Sequence, residues 1–108
     1  MENNIVEEGK RTAIISYMTA IGAVIAVVMN SEKKNTFAAF HIRQALGIFL
    51  SFFALGYFIS GIDSWMATAS FYIFYFILWI FGFTGALQGE TRLIPLVGNF
   101  FQKLFKGI

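Results

Sequence analysis

SWMATASFYIFYFILWIFGFTGALQG, residues 64–89, is a run of 26 residues without a charge, bounded by Asp63 and Glu90. A helix needs about 20 predominantly apolar residues to cross the hydrocarbon core of a bilayer, so this stretch is long enough. Two further uncharged stretches precede it. Gln44–Ile62 holds 19 residues between Arg43 and Asp63, and Thr12–Ser31 holds 20 between Arg11 and Glu32. Together they predict an all-α integral membrane protein, a three-helix bundle.

Composition agrees. Apolar residues make up 57% of the chain and charged residues 13%, against about 25% charged in an ordinary soluble domain. Fourteen Phe in 108 residues suit lipid contact better than a small soluble core. The length predicts a single membrane domain over 1–108. With no Cys, no disulfide, thiol nucleophile or thiolate metal site is available. The net charge of +2 is scattered, so nucleic acid is not an expected partner. A cleaved signal peptide is not expected either. The leader carries Glu2, Glu7 and Glu8 ahead of Lys10 and Arg11, and the apolar run ends in Met29-Asn30-Ser31-Glu32, a poor cleavage site.

Working outward, residues 1–10 read as a polar, frayed tail. Helices are expected at about 12–29, 37–61 and 64–87. Asn35 or Thr36 can cap the second helix by accepting from a free backbone N–H. Gly61 can end it in the left-handed conformation. Asp63 or Ser64 can cap the third, and the tight Gly61–Ser64 turn makes helices two and three antiparallel neighbours. After Pro95, the chain's one proline, apolar residues recur at helical spacing. Residues 96–106 are too short to span, so an amphipathic helix in the interface is expected, anchored by Phe100, Phe101, Leu104 and Phe105. Trp65 is placed in the outer aromatic belt.

Three crossings would put the N-terminal tail and the Asp63 turn on one side, with two basic residues, Lys10 and Arg11. The other side would hold six: Lys33, Lys34, Arg43, Arg92, Lys103 and Lys106. The basic side is normally cytoplasmic. The expectation is therefore a bacterial cytoplasmic (inner) membrane protein, N-terminus outside and C-terminus inside.

No charge falls within the three uncharged stretches, whereas ion paths and proton relays normally use one. Small residues recur four apart, as at Gly47/Ser51 and Gly82/Ala86, and let helix backbones approach, either within this bundle or between copies. Thr68, Tyr72, Tyr75 and Trp79 share one face of the third helix, either packed inward or lining a groove. His41, Arg43 and Gln44 form the densest polar cluster near the membrane. They either recognise an anionic head group or partner peptide, or anchor the helix by snorkelling. Glu90 ends the third helix on the same face, where Lys34 or Arg43 is in reach. His41 is the one histidine, so no His-based metal set exists within a chain, and no Ser-His-Asp grouping can be drawn. Neither catalytic residues nor a cofactor are expected.

Phe40-His41-Ile42-Arg43-Gln44-Ala45-Leu46 opens the second helix, and Gly89-Glu90 with Pro95 follows the third. This layout resembles a widespread family of small bacterial three-helix membrane proteins, distantly related to the chloroplast inner-envelope protein-import component. There an aromatic-His-x-Lys/Arg-Gln/Glu-Ala-Leu stretch and a Gly-Glu-x-x-x-Pro type stretch occupy the same places. The resemblance marks His41, Arg43, Gln44, Ala45, Leu46, Gly89, Glu90 and Pro95. Gly47 stands where many members have Asn, and Leu93-Ile94 replaces an aromatic before the proline. It implies a membrane fold, and most bacterial members of the family lack an established activity.

The expected function is non-catalytic: an accessory or assembly subunit, in the neighbourhood of a protein-translocation machine. Its partners would be the bilayer and other membrane proteins or itself, with His41, Arg43, Gln44 and Glu90 as the interaction patch. The alternative is a subunit of a small oligomeric channel or transporter.

Overall fold

The computed structural model of the chain describes residues 3–108. Five helices follow one another, with no strand among the described residues: α1 (Asn3–Met18), α2 (Ala20–Lys33), α3 (Thr36–Ile59), α4 (Trp65–Leu87) and α5 (Gly98–Leu104). Two of them, α3 and α4, are long and apolar enough to cross a membrane. The first uncharged stretch does not make the third such helix.

The reason is local. Thr19 leaves the helical region at φ −153°, ψ 168°, and its Oγ1 accepts the Gly22 N–H at 2.8 Å. A threonine hydroxyl at this position satisfies an orphan donor of a new helix, so α2 starts afresh and folds back along α1. Gly22 permits the sharpness of the reversal: a Cβ there would sit 2.4 Å from the Ile15 carbonyl oxygen. Ser16 and Ala23, fully or almost fully buried, leave room for the reversed helices to lie close, and Ala26 packs α2 against Ala38 and Ile42 of α3.

The expected polar tail is likewise helical. Residues 3–10 open α1, while Met1 and Glu2 lie outside the described residues. The start of α1 therefore sits at a different end of the molecule from the one expected for the tail. The Asn35 side-chain amide donates to the Ile5 carbonyl at 2.9 Å, and a Cβ on Gly9 would overlap the Asn35 side chain. A Cβ on Gly89 would meet Val6. The start of α1 thus lies with the α2–α3 connection and the end of α4, far from Asp63. Because the first stretch doubles back, the chain returns to its starting end before α3 departs.

The α3–α4 hairpin forms as expected, with correct caps and one displaced glycine. Asn35 accepts from Ala38 N–H at 2.9 Å and Ser64 from Ala67 N–H at 3.2 Å. Ser60, in an ordinary helical conformation, ends α3. The left-handed glycine is Gly89, φ 73°, which closes α4 in place of Gly61. α1 packs against α2, α3 and α4, and α5 against α3. At 1.5 Å per residue, α1 and α2 reach only about 24 and 21 Å, against about 36 Å for α3. They cover the lower half of the hairpin, where the buried side chains gather, and leave Leu50 to Phe76 largely exposed. The molecule measures 49 × 23 × 22 Å.

The last helix is shorter than the expected 96–106 and begins at Gly98. Pro95 does not start it, because residues 95–97 form turns and Leu96 is left-handed at φ 69°. Of its expected anchors, Phe100 and Leu104 are exposed and Phe105 is half-buried. Phe101 instead inserts against α3: a Cβ on Gly47 would lie 2.2 Å from its ring.

Candidate functional site: the buried polar clasp at the base of the hairpin

The buried residues of α3 recur three and four apart over its first half, and His41 and Gln44, about one turn apart, are among them. Each is fully buried. They are two of the four residues expected on a contact patch, and both lie inside the molecule.

Their bonds form a directed chain. The His41 Nε2 lies 2.7 Å from the Glu90 carbonyl oxygen. A carbonyl only accepts, so Nε2 carries the proton. That leaves Nδ1 of the neutral ring as an acceptor for the Tyr17 hydroxyl at 2.7 Å. The Tyr17 oxygen in turn accepts from the Gln44 amide at 3.0 Å. Gln44 Oε1 accepts the Ile94 N–H at 2.9 Å. Polarity runs one way, from the Ile94 amide through Gln44, Tyr17 and His41 to the Glu90 carbonyl. Successive donors in such a chain polarise one another.

The clasp binds four parts of the chain: α1 through Tyr17, α3 through His41 and Gln44, and both ends of the 90–94 segment. Trp79 of α4 joins it, its indole N–H donating to the Tyr17 carbonyl at 2.6 Å. That carbonyl is free because Thr19 interrupts the helix two residues on. Phe37 and Phe40 close over the imidazole edge-on, with centroids 4.9 and 5.1 Å away. Gly82 lets Tyr17 approach α4, since a Cβ there would lie 2.9 Å from its ring and hydroxyl.

Arg43 and Glu90, the other patch residues, lie nearer the surface. Arg43 donates to Gln102 Oε1 and to the Lys106 carbonyl, each at 3.3 Å, and Gln102 donates to the Phe40 carbonyl at 2.8 Å. These bonds seat the C-terminal segment on α3. The Glu90 carboxylate, half-exposed, pairs with Arg92 at 3.5 Å rather than with Lys34 or Arg43. What Glu90 brings to His41 is its main chain.

Three contributors escaped the sequence reading. Tyr17 lies in a stretch read as one crossing helix. Asn30 exchanges two bonds with the Asn35 backbone, at 2.9 and 3.1 Å, tying α2 to the α3 start. Asn35 was read as a cap and also holds α1. The Thr19–Gly22 spacing was the available signal. On the α4 stripe, Tyr75 donates to Ser51 at 2.8 Å and Trp79 to Tyr17, whereas Tyr72 is exposed. Trp65 is exposed beside the Asp63 turn.

No family model, curated protein or solved structure matches the chain.

Proposed function

We infer that the chain is a non-catalytic integral membrane protein, an accessory or assembly subunit, with two crossings and a hairpin that enters the bilayer from one side only. The observation that carries this reading is the distribution of charge on the fold. Of the eight Lys and Arg residues, six lie where α2 ends or α3 begins or in the segment beyond α4, and Lys10 and Arg11 lie midway along α1. The opposite turn carries Asp63 and no basic residue. Six against none is a stronger bias than six against two, and it favours a cytoplasmic location for both termini. The N-terminus is thus proposed inside, with the Asp63 turn outside.

Exposure supports the same reading. Only 28% and 17% of the most apolar stretches of α3 and α4 are buried, unlike the core helices of a soluble protein. An uncharged stretch of 20 residues is long enough either to cross once or to dip about halfway and return. The Thr19 reversal favours the dip. Irregular backbone at membrane depth is tolerated where protein covers it, and here Trp79 bonds the Tyr17 carbonyl exposed by the break. Both His41 ring nitrogens are engaged within the chain, which favours a structural role for that residue over a catalytic one. Support for an association with protein translocation is the resemblance at residues 40–46 and 89–95.

Single Cys substitutions at Asn4, Ser64 and Lys103 in this Cys-free chain test the arrangement. On intact bacterial cells, an impermeant thiol reagent should label only the Ser64 variant. Labelling at Asn4 without permeabilisation would return the chain to three crossings. Recovery of the same membrane partners from mild detergent, from cells grown independently, tests the accessory role, and a chain that purifies alone would count against it.

A further inference from the structure

A second polar feature lies outside the clasp. The end of α2, the first two turns of α3 and the C-terminal residues enclose a cavity of about 510 Å³, within the range of small-ligand sites. Lys34, Thr36 and Arg43 line it with Asn30 on the polar side, and Val27 and Ile108 on the apolar side. No Asp or Glu side chain lines it among the described residues. Two cations therefore share one concave space that no acidic side chain lines.

Arg43 is incompletely satisfied. Its terminal nitrogens make the two 3.3 Å bonds to Gln102 and Lys106, both long for a charged donor. Its Nε is buried with no hydrogen-bond partner among the described residues. Leaving a buried donor of a charged group unpaired is costly, so the Arg43 guanidinium beside the cavity keeps unmet donor capacity. Lys34 adds a second charge to the lining, from a left-handed backbone, φ 48°, at the α2 terminus. The cavity is also amphipathic in a definite direction. From Val27 the exposed apolar residues Val24 and Ile21 continue down α2, one helical turn apart.

We propose that this cavity binds a phosphate-bearing anion, with the Arg43 guanidinium and the Lys34 ammonium as its charged donors. Arg presents parallel N–H groups to two phosphate oxygens and Lys a third, rotatable contact. A lipid phosphodiester and free phosphate offer the same oxygens. The apolar strip below Val27 suits the acyl chain of the first. The lipid source rests on the membrane reading above, and the anion chemistry does not.

The test uses the full chain purified in detergent. Native mass spectrometry compares retention of dioleoylphosphatidylglycerol and dioleoylphosphatidylcholine, and calorimetry titrates inorganic phosphate. The expected result is preferential retention of the anionic lipid, weakened about tenfold or more in Lys34→Gln and Arg43→Gln. Arg43 also seats the C-terminal segment, so Lys34→Gln, whose side chain holds no other element, separates charge from folding. Phosphate binding with the same losses, and no lipid preference, assigns the site to the free anion. Equal retention of both lipids with no phosphate binding, or anion binding unchanged in both variants, overturns the proposal. If thiol labelling contradicts the two-crossing arrangement while phosphate still binds, the membrane reading falls and the site stands.

Discussion

His41 Nε2 meets the main-chain carbonyl of Glu90 at 2.7 Å, while the Glu90 carboxylate turns outward to Arg92. The contact between these residues, 49 positions apart in sequence, depends on the Glu90 backbone and is indifferent to its charge. A helix base is thereby locked to the segment that follows α4 through a neutral bond.

This gives opposite expectations for the two partners. Glu90→Ala removes an exposed ion pair, which contributes about 0–1 kcal/mol, and leaves the carbonyl in place. His41→Ala strands the Tyr17 hydroxyl and empties a buried site, which should cost about 2–4 kcal/mol. Thermal unfolding in detergent should show a large drop for His41→Ala and almost none for Glu90→Ala. Equal drops would mean that the carboxylate is the operative group.

Tyr17→Phe keeps the ring and deletes the link in the middle of the chain. Both His41 Nδ1 and the Gln44 amide lose their partner, at about 1–3 kcal/mol for a buried group left unsatisfied. Trp79→Phe strands one acceptor, the Tyr17 carbonyl, at about 1–3 kcal/mol, whereas Tyr17→Phe strands two groups and should be the less stable. The order of the two melting temperatures checks the direction of the network. A Trp79→Phe variant less stable than Tyr17→Phe would contradict it.

The α1–α2 reversal has a distance signature. Spin labels at Asn4 and Lys33, 29 residues apart, would be about 44 Å apart on one straight helix. Folded back, the helix axes lie only about 8–10 Å apart. Pulsed electron-paramagnetic-resonance distances well below 44 Å are expected. Thr19→Ala, which loses the cap, should cost about 1 kcal/mol and keep the short distance. Gly22→Val drives a side chain into the Ile15 carbonyl and should broaden or lengthen it.

Phe101 and Gly47 make α5 a docked element rather than one floating in the interface. Phe101→Ala should cost about 3 kcal/mol, as for other buried aromatic deletions, and Phe100→Ala, on an exposed ring, much less. Hydrogen exchange along 98–105 checks this. Protection should fall in Phe101→Ala and in Gly47→Leu, and hold in Phe100→Ala.

Much of this protein follows from local chemistry. The α3–α4 hairpin follows from two uncharged stretches, each long and apolar enough for a membrane-crossing helix, joined by a polar turn. Its caps at Asn35 and Ser64 follow from short polar side chains beside apolar runs. The first stretch was different. Its length satisfies one long helix and a helical hairpin equally, and one hydroxyl, Thr19, with one missing Cβ, Gly22, tips it to the hairpin. That choice moves the start of α1 to the other end of the molecule. It also puts Tyr17 against His41, so the polar cluster that local spacing marks as a surface patch becomes a buried clasp. A sequence shows which residues are polar and near a helix end. Which way they face depends on what packs over them, and here that is α1, a helix whose direction only the tertiary structure decided.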